Sequence, residues 1–187
     1  MTSCSSVSIP EIRRDIALRN LRSLSEAEAE EGVEGGLEGN QDYSDLRALS
    51  AIDLQAVLRE EERWLTRIRL GEAPSDVEEV LTNVRGSAFE PVEELWGLDL
   101  GVASAVVALS CLGACPVSSC NGGAFGHSHQ AKYPYISFFL YEASLERLLL
   151  IAEHARCGLT ALDGLGHLYG PVDNLMMFAR EVAAAIS

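Results

Sequence analysis

A chain of 187 residues with 48% hydrophobic residues suits one domain with a sizeable core, and it leaves some length for a tail or linker. The formal charge of −14 arises from 28 acidic against 14 basic residues, and such a surface repels a phosphate backbone, which disfavours nucleic-acid binding. No apolar run reaches the roughly 20 residues that span a bilayer, and the N-terminus lacks the basic and apolar regions of a signal peptide, so we expect a cytoplasmic protein with no membrane partner.

The first 47 residues hold one predicted helix and one predicted linker. Ser8 can cap a helix and Glu11 can reach back to it, which predicts an N-terminal helix within residues 1–25. Residues 26–47 begin with a run that has seven acids and four glycines, which is typical of a flexible, solvated linker. The thin apolar stripe of the helix either docks on another chain or folds back on its own domain. This stripe consists of Ile9, Ile12 and Ile16.

Residues 48–187 are predicted to form a helical segment followed by an α+β core at 99–187. Ser50 and Asp53 open a helix that Gly71 ends, and a shorter helix runs from Ser75 to Gly86. The core begins with an apolar helix from Leu100 to Ala114, which Asp99 can cap and Pro116 stops.

Strands and helices then alternate through the core. The first two strands form an antiparallel hairpin, and the helix that follows them permits a right-handed parallel crossover. We therefore predict an α+β fold with a small mixed sheet of about three strands packed with helices, preceded by a helical, acidic N-terminal region. The predicted elements are a strand that ends at Cys120, a strand at Tyr135–Leu140, a helix from Ser144 to Gly158, a strand at Leu165–Tyr169 and a helix that starts at Pro171.

One uncharged segment contains most of the residues that could act as nucleophiles, bases or metal ligands. Leu100 to Ala131 contains no Asp, Glu, Lys or Arg, yet it holds three of the five cysteines and two of the four histidines. Cys120 stands at a strand end, where turn amides and a histidine, His127 or His129, can favour a thiolate nucleophile. The alternative is that Cys120 is a small buried apolar residue, as free cysteines commonly are.

The amides of the following turn offer a second candidate site. Asn121, Gly122 and Gly123, with Lys132 nearby, can form an anion-binding nest. The same residues serve any tight hairpin, so a purely structural role stays open.

A metal site is the third candidate, and zinc is the one cofactor that we consider. Its ligands would be Cys120, His127 and His129, but their spacing matches no standard zinc pattern. Cys111 and Cys115 lie four apart on one predicted helix face and are assigned to the core. The remaining histidines and cysteines of the core stand alone on their elements and are assigned to packing or to the surface: His154, Cys157 and His167.

The stretch Ala108–Leu140 resembles a motif of uncharacterised bacterial and phage proteins. In that motif an apolar helix leads to Ser-Cys-x-Gly-Gly or Ser-Cys-x-Gly-His, then to a histidine and a strand Pro-x-Val/Ile-x-Phe, and the family implies no activity. Residues 118–122 are also similar to the Ser-Ser-Cys-Ser-Gly-Arg turn of the tRNA wybutosine-synthesis methyltransferase family, although Gly123 replaces its arginine and the surface is acidic. The residues that match the first motif are Ser119, Cys120, Gly122, Gly123, His127 or His129, Pro134, Ile136 and Phe138.

These observations favour a non-catalytic binding or regulatory protein, an acidic soluble component of a bacterial multi-protein system. Its expected partner is another protein or a second copy of itself. Thirteen arginines against a single lysine indicate a GC-rich bacterial genome. Two alternatives stay open: a cysteine-dependent hydrolase or transferase that uses Cys120 with His127 or His129, and a metal-binding protein that uses the same three residues.

Overall fold

The computed structural model describes residues 8–22, 24–25, 27, 49–71, 98–125, 131–140 and 144–186. Within these ranges the chain forms four α-helices and a four-stranded sheet, which confirms the α+β class. None of the described helices is both long enough and apolar enough to cross a bilayer. The helices are α1 (Ala51–Arg69), α2 (Ala103–Cys111), α3 (Leu145–His154) and α4 (Val172–Ile186), and the strands are β1 (Ala114–Cys120), β2 (Tyr135–Leu140), β3 (Gly158–Leu162) and β4 (Leu165–Tyr169).

The sheet has the strand order β1-β2-β4-β3, and every pair of neighbours in it is antiparallel. The prediction of a mixed sheet with about three strands is therefore wrong, because it lacks β3 and because the expected parallel pair does not form. Helix α3 does cross over from β2, but it delivers the chain to the far edge of the sheet. The turn at Asp163 and Gly164, both with positive φ, then folds β4 back between β2 and β3.

The central helix is shorter than predicted, and the strand after it begins earlier. Helix α2 ends at Cys111, Gly113 adopts a positive φ of 84°, and β1 starts at Ala114. Pro116 lies within β1, beside an irregularity in the pairing with β2, where a sheet tolerates proline. Cys111 and Cys115 consequently share no helix face, since the first ends a helix and the second belongs to a strand.

The N-terminal helix predicted from Ser8 does not form. Residues 8–25, here called the N-terminal strap, contain no α-helix at their described positions, and their one helical turn is a 3-10 turn at Leu18–Asn20. Arg14 forms a parallel bridge with Leu159, and Ile16 is buried in the main core. These tertiary contacts override the local capping signals. The strap thus packs on its own domain rather than standing apart from it.

Two other predicted segments cannot be compared with the fold. The helix expected from Ser75 to Gly86 and nearly all of the acidic run at 26–47 fall outside the described residues.

The most buried helix begins on a carboxylate from another helix. Glu61 of α1 is fully buried, and its Oε1 accepts hydrogen bonds from the backbone N–H groups of Gly101 (2.6 Å) and Ala103 (3.1 Å). Its Oε2 accepts a third bond from the N–H of Ser104 (2.8 Å). Burial raises the pKa of the Glu61 carboxyl, while these hydrogen bonds oppose that shift.

The sequence predicts a different cap for this helix, and that prediction is wrong. The N-cap residue of α2 is Val102, which makes no side-chain capping bond. Asp99, the predicted cap, instead accepts a hydrogen bond from the backbone N–H of Asn121 (3.4 Å). The start of α2 is thus capped by Glu61, which is 40 positions away from Gly101, and not by the neighbouring Asp99.

We expect Glu61→Ala to lower the free energy of unfolding by about 3 kcal/mol or more, because it leaves three buried N–H groups without an acceptor. The matched control is Glu62→Ala, which removes a neighbouring carboxylate that pairs with Arg180 at the surface (2.7 Å). An exposed pair of this kind contributes under about 1 kcal/mol. Urea denaturation of the three proteins measures the difference. Equal losses in the two variants would show that the cap does not hold α2 in place.

Candidate functional site

The inner face of the sheet packs on the helices, whereas none of the helices that the structure describes packs on its outer face. Ile136, Phe138 and Leu168 belong to the main core on the inner side. Because side chains alternate along a strand, the residues between them point to the outer face. The strand register then places two rows of outer-face residues across the sheet. One row is Cys120, Tyr135, Tyr169 and Gly158, and the other is Ser118, Ser137, His167 and Thr160.

Four rings gather on this outer face and form what we call the ring cluster: Tyr133, Tyr135, His167 and Tyr169. The imidazole of His167 stacks on Tyr135, with ring centres 5.0 Å apart and an angle of 25°. Tyr169 lies 5.6 Å from His167, and Tyr133 lies 5.8 Å from Tyr169. Gly158 makes room for this arrangement, since a Cβ there would come within 2.2 Å of the Tyr169 ring.

Both ring nitrogens of His167 have hydroxyl partners. Nδ1 lies 3.2 Å from Oγ of Ser137, and Nε2 lies 3.4 Å from the hydroxyl of Tyr133. His167 is only 5% exposed, and its burial lowers its pKa to about 4. The imidazole is therefore neutral at pH 7, and the cluster that surrounds it offers rings and hydroxyls rather than a charge.

The turn that follows β1 uses its amides internally. The N–H of Gly122 donates to Sγ of Cys120 (3.3 Å), and the N–H of Gly123 donates to Oδ1 of Asn121 (2.9 Å). The amide group of Asn121 also donates to the carbonyl of Leu100 (3.2 Å), which ties the turn to the start of α2. These bonds favour the structural interpretation of the turn over an anion-binding nest.

Gly122 also brings the turn against the ring cluster. Its φ is +65°, and a Cβ at this position would come within 2.4 Å of the backbone of Tyr133. Only glycine combines this conformation with so close an approach. The turn after Cys120 therefore supports the segment that carries Tyr133.

The predicted site residues are only partly brought together by the described structure. Cys120 is 9% exposed and lies opposite Tyr135 in the sheet, and Lys132 is exposed. His127 and His129 lie outside the described residues, so their approach to Cys120 stays a prediction. Among the residues that the structure describes, no group of three His, Cys, Asp or Glu side chains is placed to hold a metal ion.

The other described cysteines occupy packing positions. Cys157 is fully buried, and burial raises the pKa of its thiol to about 12. Burial likewise raises the pKa of Cys111 to about 11, and its thiol contacts the backbone carbonyls of Leu49 and Ser50. Cys115 lies in a small apolar cluster on the outer face of the sheet. None of these three has the environment of a reactive thiolate.

Sequence reasoning misses His167, because it treats this histidine as an isolated residue. Its partners Ser137 and Tyr133 precede it by 30 and 34 positions, so no short motif joins them. One local signal is nevertheless present. Tyr133, Tyr135 and Ser137 alternate with Pro134 and Ile136, which is the period of a strand with one polar, aromatic face.

Among known proteins, no protein-family model, no curated protein and no solved structure matches the chain.

The low pKa of His167 predicts a loss of stability in mild acid. The unfolded chain binds a proton at this histidine from about pH 6.5 downward, whereas the folded protein resists it until about pH 4. The free energy of unfolding should therefore fall by roughly 3 kcal/mol between pH 7 and pH 4 from this one group.

Urea denaturation across that pH range measures the slope of the free energy of unfolding against pH. The two variants to compare are His167→Gln and His154→Gln. His154 is exposed on α3, and its replacement should leave the slope in place, whereas the His167 variant should lose most of it. The interpretation is wrong if both variants keep the wild-type slope.

Proposed function

We propose that this protein is a non-catalytic binding protein that holds a cationic side chain of a protein partner against Tyr133 and Tyr135. The observation that carries this proposal is the ring cluster, an uncharged group of four rings on the sheet of a strongly acidic chain.

The two accessible rings have a geometry suited to a cation. Tyr133 and Tyr135 are both partly exposed, and their ring centres lie 6.5 Å apart at an angle of 67°. They therefore form two walls that meet edge to face. An ammonium or guanidinium group within about 6 Å of such rings is attracted by their negative faces.

The buried half of the cluster adds no positive charge. His167, stacked behind Tyr135, is neutral at pH 7 because its pKa is about 4. It consequently does not repel a cation, as an imidazolium would. The net charge of −14 on the whole chain attracts a basic partner over a longer distance and accelerates its approach.

The same geometry is a poor one for acid–base catalysis. A group with a pKa of about 4 is a weak base at neutral pH, and the two nitrogens of His167 bond to hydroxyls rather than to an orienting carboxylate. Ser137 is 8% exposed, so its hydroxyl has little access to a substrate. These features favour a binding role over nucleophilic catalysis by Ser137 with His167 as its base.

A cysteine-dependent reaction remains the second candidate because of one bond. The N–H of Gly122 donates to the sulfur of Cys120, and such a donor stabilises a thiolate. The sulfur nevertheless belongs to a residue that is only 9% exposed. The rate at which this thiol is alkylated distinguishes a binding protein from a cysteine-dependent enzyme.

The first test uses a fluorescent peptide of alternating glycine and arginine, with a citrulline version of the same peptide as the uncharged control. We expect the arginine peptide to bind more tightly than the citrulline peptide, and added salt to weaken it. Tyr133→Ala and Tyr135→Ala should each weaken binding about fivefold, the effect of roughly 1 kcal/mol of cation–π energy.

The matched control for the tyrosine variants is Leu162→Ala, which truncates an exposed side chain at the end of β3. Its affinity should equal that of the wild type. If the two tyrosine variants also bind like the wild type, the attraction is only that of an acidic surface for arginine, and the proposed site fails.

The second test concerns Cys120. If the protein only binds, iodoacetamide should label Cys120 no faster than an ordinary thiol at the same pH, and Cys120→Ser should keep the peptide affinity. Mass spectrometry assigns the label, and the buried Cys157 serves as the internal reference for a thiol that reacts only after unfolding. Labelling of Cys120 well below the pH at which free cysteine reacts would favour the enzyme.

A further inference from the structure

The N-terminal strap runs along the outer edge of β3 and is held there by backbone hydrogen bonds. The N–H of Leu159 donates to the carbonyl of Arg13 (2.8 Å), and further on the N–H of Arg22 donates to the carbonyl of Gly164 (2.8 Å). Ile16 inserts into the main core and is 7% exposed. The strap thus follows β3 from its first residues to the hairpin turn.

The end of the strap also reaches the outer face of the sheet. Leu24 is 5% exposed and packs in the apolar cluster with Val117 and Phe139, and the guanidinium of Arg22 lies 4.5 Å from the centre of the Phe139 ring. The strap therefore covers the apolar end of the face whose other end carries the ring cluster.

One side chain of the ring cluster also binds the strap. The hydroxyl of Tyr169 donates to the carbonyl of Glu11 (2.8 Å) and accepts from the N–H of Arg13 (3.1 Å). Its ring passes over Gly158, which has no side chain to block it, and it lies beside His167 in the cluster. The strap backbone consequently fixes the tip of a ring whose body forms part of the site.

We propose that the strap is a regulatory element: when it is docked on β3 it holds Tyr169 in place and keeps the ring cluster assembled, and when it detaches the cluster loosens and its ligand is released. This inference rests on the proposed function, since the ligand is the cationic side chain that Tyr133 and Tyr135 receive.

The physical reason is that a phenol hydroxyl at the sheet edge needs hydrogen-bond partners. With the strap docked, the hydroxyl of Tyr169 has one donor and one acceptor at fixed positions; without the strap, mobile water replaces both and the tip of the ring is no longer held. A ring without a fixed tip packs less firmly beside His167 and Tyr133. Because coupling between two events is reciprocal, a ligand on the cluster must in turn stabilise the docked strap.

Charge adds a condition on which the docking depends. Residues 8–25 carry four arginines against two acids, whereas the chain as a whole has a charge of −14. A positive strap on a negative body is held more strongly at low ionic strength than at high. A competing basic segment or a rise in salt therefore shifts the strap towards the detached state.

The experiment weakens the docking of the strap at two points in the 187-residue chain and follows the strap and the ring cluster by separate signals. Tyr169→Phe removes the hydroxyl and keeps the ring, and Ile16→Ala loosens the strap away from the cluster. Leu18→Ala is the matched control, because this strap residue is 63% exposed. Amide exchange at Leu159 reports the strap, the imidazole NMR signals of His167 report the cluster, and the arginine peptide reports the ligand site.

We expect both loosening variants to speed amide exchange at Leu159 about tenfold, to move the His167 signals and to weaken the arginine peptide severalfold. Leu18→Ala should change none of the three. Faster exchange at Leu159 with unchanged His167 signals in both variants would overturn the coupling. If the His167 signals move but the wild type does not bind the peptide, the strap still positions the cluster, and it is the proposed cationic ligand that fails.

Discussion

Three hydrogen bonds from backbone amides to the carboxylate of Glu61 hold the start of the central helix, and α1, α4 and β1 all pack against that helix. Helix α2 starts in the interior, where its first N–H groups have no water to bind, and its N-cap residue, Val102, has no polar side chain to cap it. A carboxylate from α1 supplies the missing acceptors. The chain leaves α2 through β1 and returns to the same place, since Asn121 binds the carbonyl of Leu100. The turn that supports Tyr133 is therefore anchored, through α2, on Glu61.

The outer face of the sheet contains a buried histidine, His167, whose hydrogen-bond partners are hydroxyl groups rather than a carboxylate. Ser137 and Tyr133 give His167 two hydroxyl partners, and burial keeps the imidazole neutral. Polar groups that satisfy one another in this way stabilise a surface without charging it. In a chain with a net charge of −14, such a surface stands out because it presents aromatic faces rather than carboxylates.

The strap shows how a segment with local helix signals can take another conformation. Ser8 and Glu11 can form a capping box only with each other, which secures at most one turn. The extended form instead bonds the backbone to Leu159 and Tyr169 and buries Ile16. The proposed regulatory role of the strap relies on this dependence on distant contacts, because such a segment can open locally.

Elements with local signals can be predicted from the amino-acid sequence alone. The capping box of Ser50 and Asp53 starts α1, Asn121-Gly122 makes the turn after β1, and strand and helix periodicity place β2, β4 and α4. Three features become visible only in the folded chain: the strand that lies between β2 and β3, the carboxylate that caps α2 and the hydroxyls that bind His167. Those features rest on burial and on hydrogen bonds between residues some 30 to 40 positions apart. The local spacing of residues does not predict these hydrogen-bonded pairs, because their members come together only when the helices and strands pack against one another.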